Sequence, residues 1–313
     1  MKLFGANKII TQHISEADLC TYFVGFDLNN NGESVYRINH LVRLLIEVIP
    51  EFAFGHHCGE TTDNTEIVST LIDAAKAIYS IDEFQKVRDL YLDNPLIDVS
   101  VADRFLRRGE FGELILHLLL RDFHETIPLI SKIYFRDSFG TAVHGFDSVH
   151  IQENTKSLWL GESKLYTDGK KGVAALIDDI KEHFTNGYLD SEFAIITRKV
   201  HLLDNIPQKD YWLDLLNSST TLRDQLNNIY IPLLCTYESD NFKKHNDEKI
   251  QAFIDDYEKE VRELKKYFDK NNDHPLKSNL HIIVLLFPIQ SKKELVVNLH
   301  RILSKLQSLG DVI

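Results

Sequence analysis

The sequence predicts an α/β protein in which helices flank a mixed β-sheet. Three strand patterns follow one another within residues 129–166, and turn sequences join them. Apolar stripes at helical spacing come before and after these strands. A further strand pattern at residues 280–289 is so continuously apolar that we expect it inside a sheet covered on both faces.

Residues 1–95 are predicted to form an acidic α/β region that serves in partner docking or regulation. β-Branched and aromatic residues predict a strand at residues 21–27, and a turn of three asparagines and a glycine follows it. Apolar residues at helical spacing predict a helix from Ile38, which Pro50 should end or kink, and a second helix over residues 66–79.

Residues 96–313 are predicted to form the second unit, with a core at about residues 103–184. A helix over residues 102–123 is apolar nearly all round and should be buried. An antiparallel meander and an amphipathic helix follow. The meander strands are predicted at 129–135, 143–152 and 158–166, the helix at 170–184, and completing strands near 230–237 and 280–289. Amphipathic helices come between and after those last two strands.

The composition is that of a soluble globular protein. The chain has 313 residues, of which 43% are hydrophobic and 26% charged. Its longest apolar runs are too short to span a bilayer, so we expect a cytoplasmic protein with no membrane partner. Three cysteines, Cys20, Cys58 and Cys235, are widely spaced with no CxxC pair, which favours a packing role.

The formal net charge of −12 argues against a protein that binds nucleic acid without a metal or a partner. Residues 1–99 hold 7 basic and 15 acidic side chains, so the acidic excess is concentrated there. If the substrate is nucleic acid, much of the binding charge must come from a bound metal, a few local lysines or a partner chain.

Asp147, Glu162 and Lys164 form the most informative pattern. Alternation along a strand places Glu162 and Lys164 on one face together with core aliphatic residues. On the preceding predicted strand, Asp147 also faces the apolar side. Charges at the edge of a core cost several kcal/mol unless they are paired or bind a cation. The pattern therefore indicates a divalent metal site, although a same-face ion pair is the alternative for Glu162 and Lys164.

Glu110, Glu113 and His117 form a polar stripe about 60° wide on the buried helix. Glu113 or Glu110 could face Asp147 and Glu162 and complete a cage of hard oxygen ligands, which suits Mg²⁺ or Mn²⁺. Alternatively, the two glutamates complement the helix dipole or pair with preceding arginines. Lys170 and Lys171 begin the next helix and could hold a DNA phosphate, with a solvated turn as the alternative.

Three other patterns do not indicate sites. Asp27-x-Asn29-x-Asn31-Gly32 opens like an EF-hand loop, but Ile38 stands where that loop needs a bidentate Glu. Gly169-Lys170-Lys171-Gly172 lacks the P-loop spacing, so no ATP site is predicted. His56-His57-Cys58 has no fourth ligand at a suitable spacing for a soft metal.

The order of these motifs resembles the core of the PD-(D/E)xK nuclease superfamily, over about residues 103–184. More narrowly, the chain is similar to the HamA family, the nuclease subunit of the Hachiman antiphage system. The similar segments are Arg108-Gly109-Glu110-Phe111-Gly112-Glu113, Phe139 to Asp147, Leu160-Gly161-Glu162-Ser163-Lys164 and Phe23-Val24-Gly25-Phe26. This resemblance implies a DNA-degrading effector held by a superfamily 2 (HamB-like) helicase, which would supply ATP hydrolysis and engage the DNA.

We therefore expect a Mg²⁺-dependent (or Mn²⁺-dependent) deoxyribonuclease. Its metal ligands would be Glu113, Asp147 and Glu162, with Glu110 as a weaker candidate, and Lys164 would be the catalytic ammonium. Two rivals stay open. A catalytically silent adaptor with the same fold would bind helicase or DNA without cutting. A sequence-specific restriction endonuclease would carry a basic recognition surface and cut alone, which the charge disfavours.

Overall fold

The computed structural model describes residues 3–55, 66–79, 109–130, 145–203 and 206–309. Several predicted features lie wholly or partly outside these ranges. They are the His56-His57-Cys58 sequence, the helix before residue 109, the strand beyond residue 130, the Phe139 to His144 segment and the start of the strand predicted at 143–152. In the described part of the chain, no helix combines the length and apolarity needed to cross a bilayer.

The described chain contains both strands and helices, in agreement with the predicted α/β class. The strands are β1 (Ile10–Ser15), β2 (Leu19–Val24), β3 (Phe26–Leu28), β4 (Ser34–Tyr36), β5 (Ile127–Ile130), β6 (Ser148–Gln152), β7 (Ser157–Leu165), β8 (Ile229–Glu238) and β9 (His281–Ile289). The helices are α1 (Ile38–Phe54), α2 (Ile67–Tyr79), α3 (Glu110–Phe123), α4 (Gly169–His183), α5 (Asn186–Leu202), α6 (Lys209–Leu215), α7 (Leu222–Leu226), α8 (Asn241–Lys244), α9 (Gln251–Asn271) and α10 (Lys292–Leu309).

Seven strands form one mixed sheet in the order β1-β2-β9-β8-β7-β6-β5. The predicted meander is confirmed, because β5, β6 and β7 pair antiparallel in sequence order. β7, β8, β9 and β2 then pair in parallel. β9 lies between β8 and β2, and its residues 283–289 are all buried, as its continuous apolar pattern predicts.

Helices cover both faces of the sheet around β7. On one face, α3 packs so closely that a Cβ at Gly161 would lie 2.9 Å from Leu116. On the other face, α4 packs so closely on β8 that a Cβ at Gly172 would lie 2.5 Å from the Cys235 sulfur. α9 packs on α4, and α1 packs on α3. α3 contacts both the sheet and α1, which explains why this helix is buried.

The prediction that Pro50 would end or kink the first helix is wrong about the end, since α1 continues to Phe54 with Pro50 inside it. The last turn is held by tertiary contacts, because Phe52 and Ala53 are buried. Glu51 also accepts a 2.6 Å hydrogen bond from Arg121 Nε of α3. These contacts offset the backbone hydrogen bond that proline cannot donate.

The predicted strand at residues 21–27 is two strands, since β2 ends at Val24 and β3 begins at Phe26. Between them, the site of a Cβ at Gly25 is 2.5 Å from the Glu248 carboxylate, which accepts a 2.9 Å hydrogen bond from Phe26 N. The predicted turn is confirmed, because Gly32 N donates to Asn29 O over 2.9 Å and Gly32 has a φ of 78°.

The region before residue 96 contributes to the main sheet. β1 pairs with β2, and β2 pairs in parallel with β9, which lies two strands from β7. Cys20 of β2 is buried with a free thiol, as is Cys235 of β8, in agreement with a packing role. The role of residues 1–95 in partner docking stays a prediction.

Candidate active site

Glu162 and Lys164 share the face of β7 that α4 covers, as the strand alternation predicts. Glu162 is only 2% exposed, and its side chain contacts His183 at the end of α4. The Lys164 ammonium contacts Asp179, one turn earlier on the same helix. Between them, Ser163 points to the opposite face, where its hydroxyl would lie 3.3 Å from a Cβ at Gly112 of α3.

Asp147 was predicted to lie on a strand, but β6 begins at Ser148, so Asp147 lies immediately before it and is fixed by the neighbouring strand. Its Oδ2 accepts hydrogen bonds from Ser163 N at 2.9 Å and from Ser163 Oγ at 3.0 Å. Because Ser148 pairs with Gly161 in the antiparallel register, Asp147 comes beside Glu162. The middle residue of Glu-x-Lys therefore holds the third charged group in place, a role that the motif does not indicate.

The two carboxylates of this cluster interact electrostatically. Burial, followed by the nearby charge of Asp147, raises the pKa of Glu162 to about 7. A 2.7 Å hydrogen bond joins Glu162 Oε1 to His183 Nδ1 and partly opposes that rise. Two like charges in a buried site favour a cation between them.

Lys164 provides the positive charge of the cluster. Its Nζ lies 2.6 Å from Asp179 Oδ2, and the two side chains are 25% and 17% exposed. Burial acts to lower the pKa of Lys164, but the pairing with Asp179 and the charges of Asp147 and Glu162 outweigh it, so the pKa is raised. Lys164 is therefore an ammonium at neutral pH.

The polar stripe of α3 (Glu110, Glu113 and His117) lies in two different environments. Glu113 is buried at 7% exposure in the turn that contacts β7, and Glu110 is half-buried. His117 instead lies in another cluster, with its Nε2 3.0 Å from Glu51 Oε1 of α1. Its ring centroid is 5.1 Å from that of His150 on β6. His117 thus connects α1, α3 and the sheet.

Asp147 and Glu162 fit a Mg²⁺ site in which the protein supplies only a few of the ligands. Mg²⁺ usually keeps several waters and binds protein through one or two carboxylates, and Asp147 and Glu162 supply such a pair. Across the described ranges, no group of three or more His, Cys, Asp or Glu side chains is arranged to hold a metal ion. The role of Glu110 and Glu113 as further ligands stays a prediction.

Lys170 and Lys171 lie at the start of α4, and both are exposed. Asp168 caps this end, where its Oδ1 accepts a 3.0 Å hydrogen bond from Lys171 N, so one backbone donor is already used. Lys170 Nζ lies 4.9 Å from the centroid of the Tyr267 ring, in a cleft of about 720 Å³. Their binding of DNA phosphate stays a prediction.

Asp179 and His183 were missed by the sequence reasoning. In the sequence they stand among the apolar stripe of the helix after Glu-x-Lys, and only their i, i+4 spacing on one helix indicates a shared direction. That β7 and α4 pack face to face became evident only in the structure.

Comparison with known families decides the identity. The family model for HamA matches residues 6–303, nearly the whole chain. The chain belongs to the HamA family. This is the Hachiman-associated family, so the chain is a component of a Hachiman-type defence system. No curated protein matches the chain significantly.

In this HamA-family chain, the matched range includes every residue of the cluster described above. Asp147, Glu162, Ser163, Lys164, Asp179 and His183 all lie between residues 6 and 303. The same range contains β1 and β2, so the family similarity and the sheet extend over the same part of the chain.

Proposed function

We propose that this chain is a metal-dependent DNA nuclease that uses Mg²⁺ or Mn²⁺ and is controlled by a superfamily 2 helicase partner. One observation carries the proposal: Asp147, Glu162 and Lys164 interact at one place between β6, β7 and α4. The pKa of Glu162 responds to Asp147, and the pKa of Lys164 responds to both carboxylates. Perturbed groups gathered in this way are typical of catalytic sites.

Asp147 and Glu162 would hold the ion, with Glu113 as a proposed third ligand. A bound Mg²⁺ would polarise the scissile phosphate and lower the pKa of the water that attacks it. The chain's own part is to hold both carboxylates in place. Ser163 does this for Asp147 through two hydrogen bonds, and His183 does it for Glu162 through one.

Lys164 would stabilise the negative charge that builds on the phosphate in the transition state. Its raised pKa keeps it protonated, and its contact with Asp179 fixes the direction of a long flexible side chain. The lysine ammonium is a compact point charge, whereas the arginine guanidinium is a planar fork. Lys164→Arg should therefore not preserve activity.

The helicase part of the proposal rests on the family and on charge. The net charge of −12 leaves this chain poorly suited to engage DNA on its own. The sequence also lacks a P-loop, so ATP hydrolysis would have to come from another chain. A partner with a basic DNA path would supply both.

The test is plasmid cleavage with and without the co-expressed helicase. Supercoiled plasmid would be incubated with wild-type protein, Lys164→Ala and Asp147→Asn in MgCl₂, and again with EDTA. Lys249→Ala is the matched control, since Lys249 is an exposed lysine outside the cluster. Far-UV circular dichroism and urea unfolding would establish that each variant is folded.

We expect nicking or degradation by wild type and Lys249→Ala that EDTA abolishes. Lys164→Ala and Asp147→Asn should lose at least about a hundredfold in rate, in line with the loss of an electrostatic group that acts in the transition state. Silence of folded wild-type protein in every condition, with helicase or DNA binding retained, would favour the adaptor instead.

A further inference from the structure

Two side chains of α4 each contact one member of the Glu-x-Lys pair. His183 Nδ1 is 2.7 Å from Glu162 Oε1, and Asp179 Oδ2 is 2.6 Å from Lys164 Nζ. All four side chains are largely shielded from water, with side-chain exposures of 18%, 3%, 17% and 25% in that order. These contacts are therefore less screened than surface ion pairs, and they fix geometry more strongly.

The spacing of the two elements explains why both contacts form together. Two residues along a strand advance about 6.7 Å, and four residues along a helix advance about 6.0 Å. Since α4 follows β7 and packs back on it, the order is reversed: the later helix residue meets the earlier strand residue. Two parallel contacts thus connect α4 to the cluster.

The ring of His183 is held from other sides as well. It stacks on Tyr188 of α5, with centroids 4.5 Å apart and an interplanar angle of 11°. Phe146 approaches the same ring edge-on, with centroids 6.2 Å apart. Phe146 directly precedes Asp147, so one aromatic cluster (Phe146, His183 and Tyr188) adjoins both carboxylates. The direction of Nδ1 is therefore fixed before any ligand arrives.

We infer that His183 and Asp179 are positioning residues: His183 holds the Glu162 carboxylate for the metal ion, and Asp179 holds the Lys164 ammonium for the phosphate. The inference rests on the proposed function and assigns a separate role to each of the two residues. A hydrogen bond from His183 to Oε1 fixes the plane of the Glu162 carboxylate, so Glu162 would meet a metal ion as a preset ligand. Asp179 pairs directly with Lys164, whereas its charge acts on Glu162 and His183 through space.

These separate roles predict that metal affinity and cleavage rate can be changed independently. Three substitutions test this. His183→Phe keeps an aromatic ring against Tyr188 but removes the donor. His183→Asn loses the ring but places an amide nitrogen near the position of Nδ1. Asp179→Asn keeps the shape of the side chain and removes its charge.

The measurements are Mn²⁺ affinity by electron paramagnetic resonance and the single-turnover cleavage rate at saturating metal, with the helicase complex where cleavage requires it. We expect His183→Phe to weaken Mn²⁺ binding by about tenfold to a hundredfold, as removal of a group that orients a metal ligand does. His183→Asn should stay within about threefold of wild type. Asp179→Asn should lower the single-turnover rate at least about tenfold while Mn²⁺ affinity changes less than about threefold.

Equal Mn²⁺ affinities for wild type and a folded His183→Phe would overturn the role of His183. An unchanged cleavage rate in Asp179→Asn would overturn the role of Asp179. If His183→Phe does not fold, His183→Leu replaces it, and wild-type Mn²⁺ affinity in the folded variant would overturn the role of His183. For Asp179→Asn, a purely structural role would move affinity and rate together. Failure of the proposed function has a different signature, since wild type would then neither bind Mn²⁺ nor cleave.

Discussion

Ser163 and His183 show how single residues outside a recognised motif fix its charged members. Ser163 occupies the variable position of Glu-x-Lys, yet it gives two hydrogen bonds to Asp147. His183 lies twenty-one residues after Glu162 and still meets its carboxylate. Strand alternation predicted which residues share a face with Glu162 and Lys164. The contacts of these residues with other elements depend on strand register and helix packing. Strand alternation does not predict either of these.

His124 is a residue whose burial has a measurable consequence away from the candidate site. It follows α3, and its Nε2 is 2.9 Å from the Tyr22 hydroxyl of β2. Its ring lies 5.2 Å from that of Trp159 on β7. Burial lowers the pKa of His124 from 6.5 to about 4.

The free energy of unfolding should therefore fall as pH decreases from about 6.5 to about 4. Above this window His124 is neutral in both states, and within it only the unfolded chain binds the proton, so acid favours unfolding. The loss should reach at most about 3.5 kcal/mol, at roughly 1.4 kcal/mol per pKa unit. Urea unfolding of wild type and His124→Gln from pH 7.5 to 4.5 measures it.

Glutamine keeps an acceptor for the Tyr22 hydroxyl and does not titrate, so His124→Gln isolates this proton from those bound by carboxylates. We expect a smaller decrease of stability in the variant over the same pH range. Parallel curves for the two proteins would show that His124 does not take up a proton on unfolding.

At the scale of elements, α4 is positioned by contact so close that it depends on glycine. Gly172 faces β8, and a Cβ added there would lie 2.5 Å from Cys235 Sγ. Gly169 faces Tyr237, and a Cβ added there would lie 2.8 Å from the tyrosine ring. This close approach brings Asp179 and His183 within reach of β7. Larger residues at these positions would lift the helix away from the cluster.

Gly172→Ala should lower the free energy of unfolding by up to about 2 kcal/mol. Overpacking typically costs about 1–3 kcal/mol, and alanine returns about 1 kcal/mol of helix propensity. Combining it with Cys235→Ala should recover part of the loss, because the new methyl occupies the space of the removed sulfur. Urea unfolding of the single and double variants measures this coupling.

Gly187→Ala in α5 provides the control for this experiment, since its Cβ position has no heavy atom within 4 Å. It should be neutral or stabilise the protein by up to about 1 kcal/mol. If Gly172→Ala were as stable as Gly187→Ala, the close packing of α4 on β8 would be wrong.

At the scale of the whole molecule, segments far apart in sequence share one sheet. β2 from the first 30 residues pairs with β9 from the last 40, and β9 pairs with β8. Leu41 and Leu45 of α1 are fully buried, and α1 packs against α3. The acidic region is thus part of the sheet and core that carry the candidate site.

Deleting residues 1–95 should abolish folding of the remainder. The deletion would expose one edge of β9 and remove the helix that covers α3, and an exposed apolar edge strand favours aggregation. We expect the fragment to lose its cooperative urea transition and to aggregate in size-exclusion chromatography. A monomeric fragment with a cooperative transition would contradict this, and its cleavage of plasmid DNA would then test whether residues 1–95 restrain a nuclease.

Leu28→Ser is the matched control for the N-terminal region. Leu28 lies in the β3–β4 hairpin outside the main sheet and is 69% exposed. Its substitution should leave the unfolding transition within about 0.5 kcal/mol of wild type, as is usual for surface positions.

The sequence by itself determined the α/β class, the antiparallel meander, the buried helix and the shared face of Glu162 and Lys164. These follow from periodicity, because 3.6-residue and two-residue repeats decide which side chains face the core. Only the tertiary structure decided the continuation of α1 beyond Pro50, the entry of β2 into the main sheet and the contacts of His183 and Asp179. Each of these depends on which distant segments pack together, and local periodicity does not specify that choice.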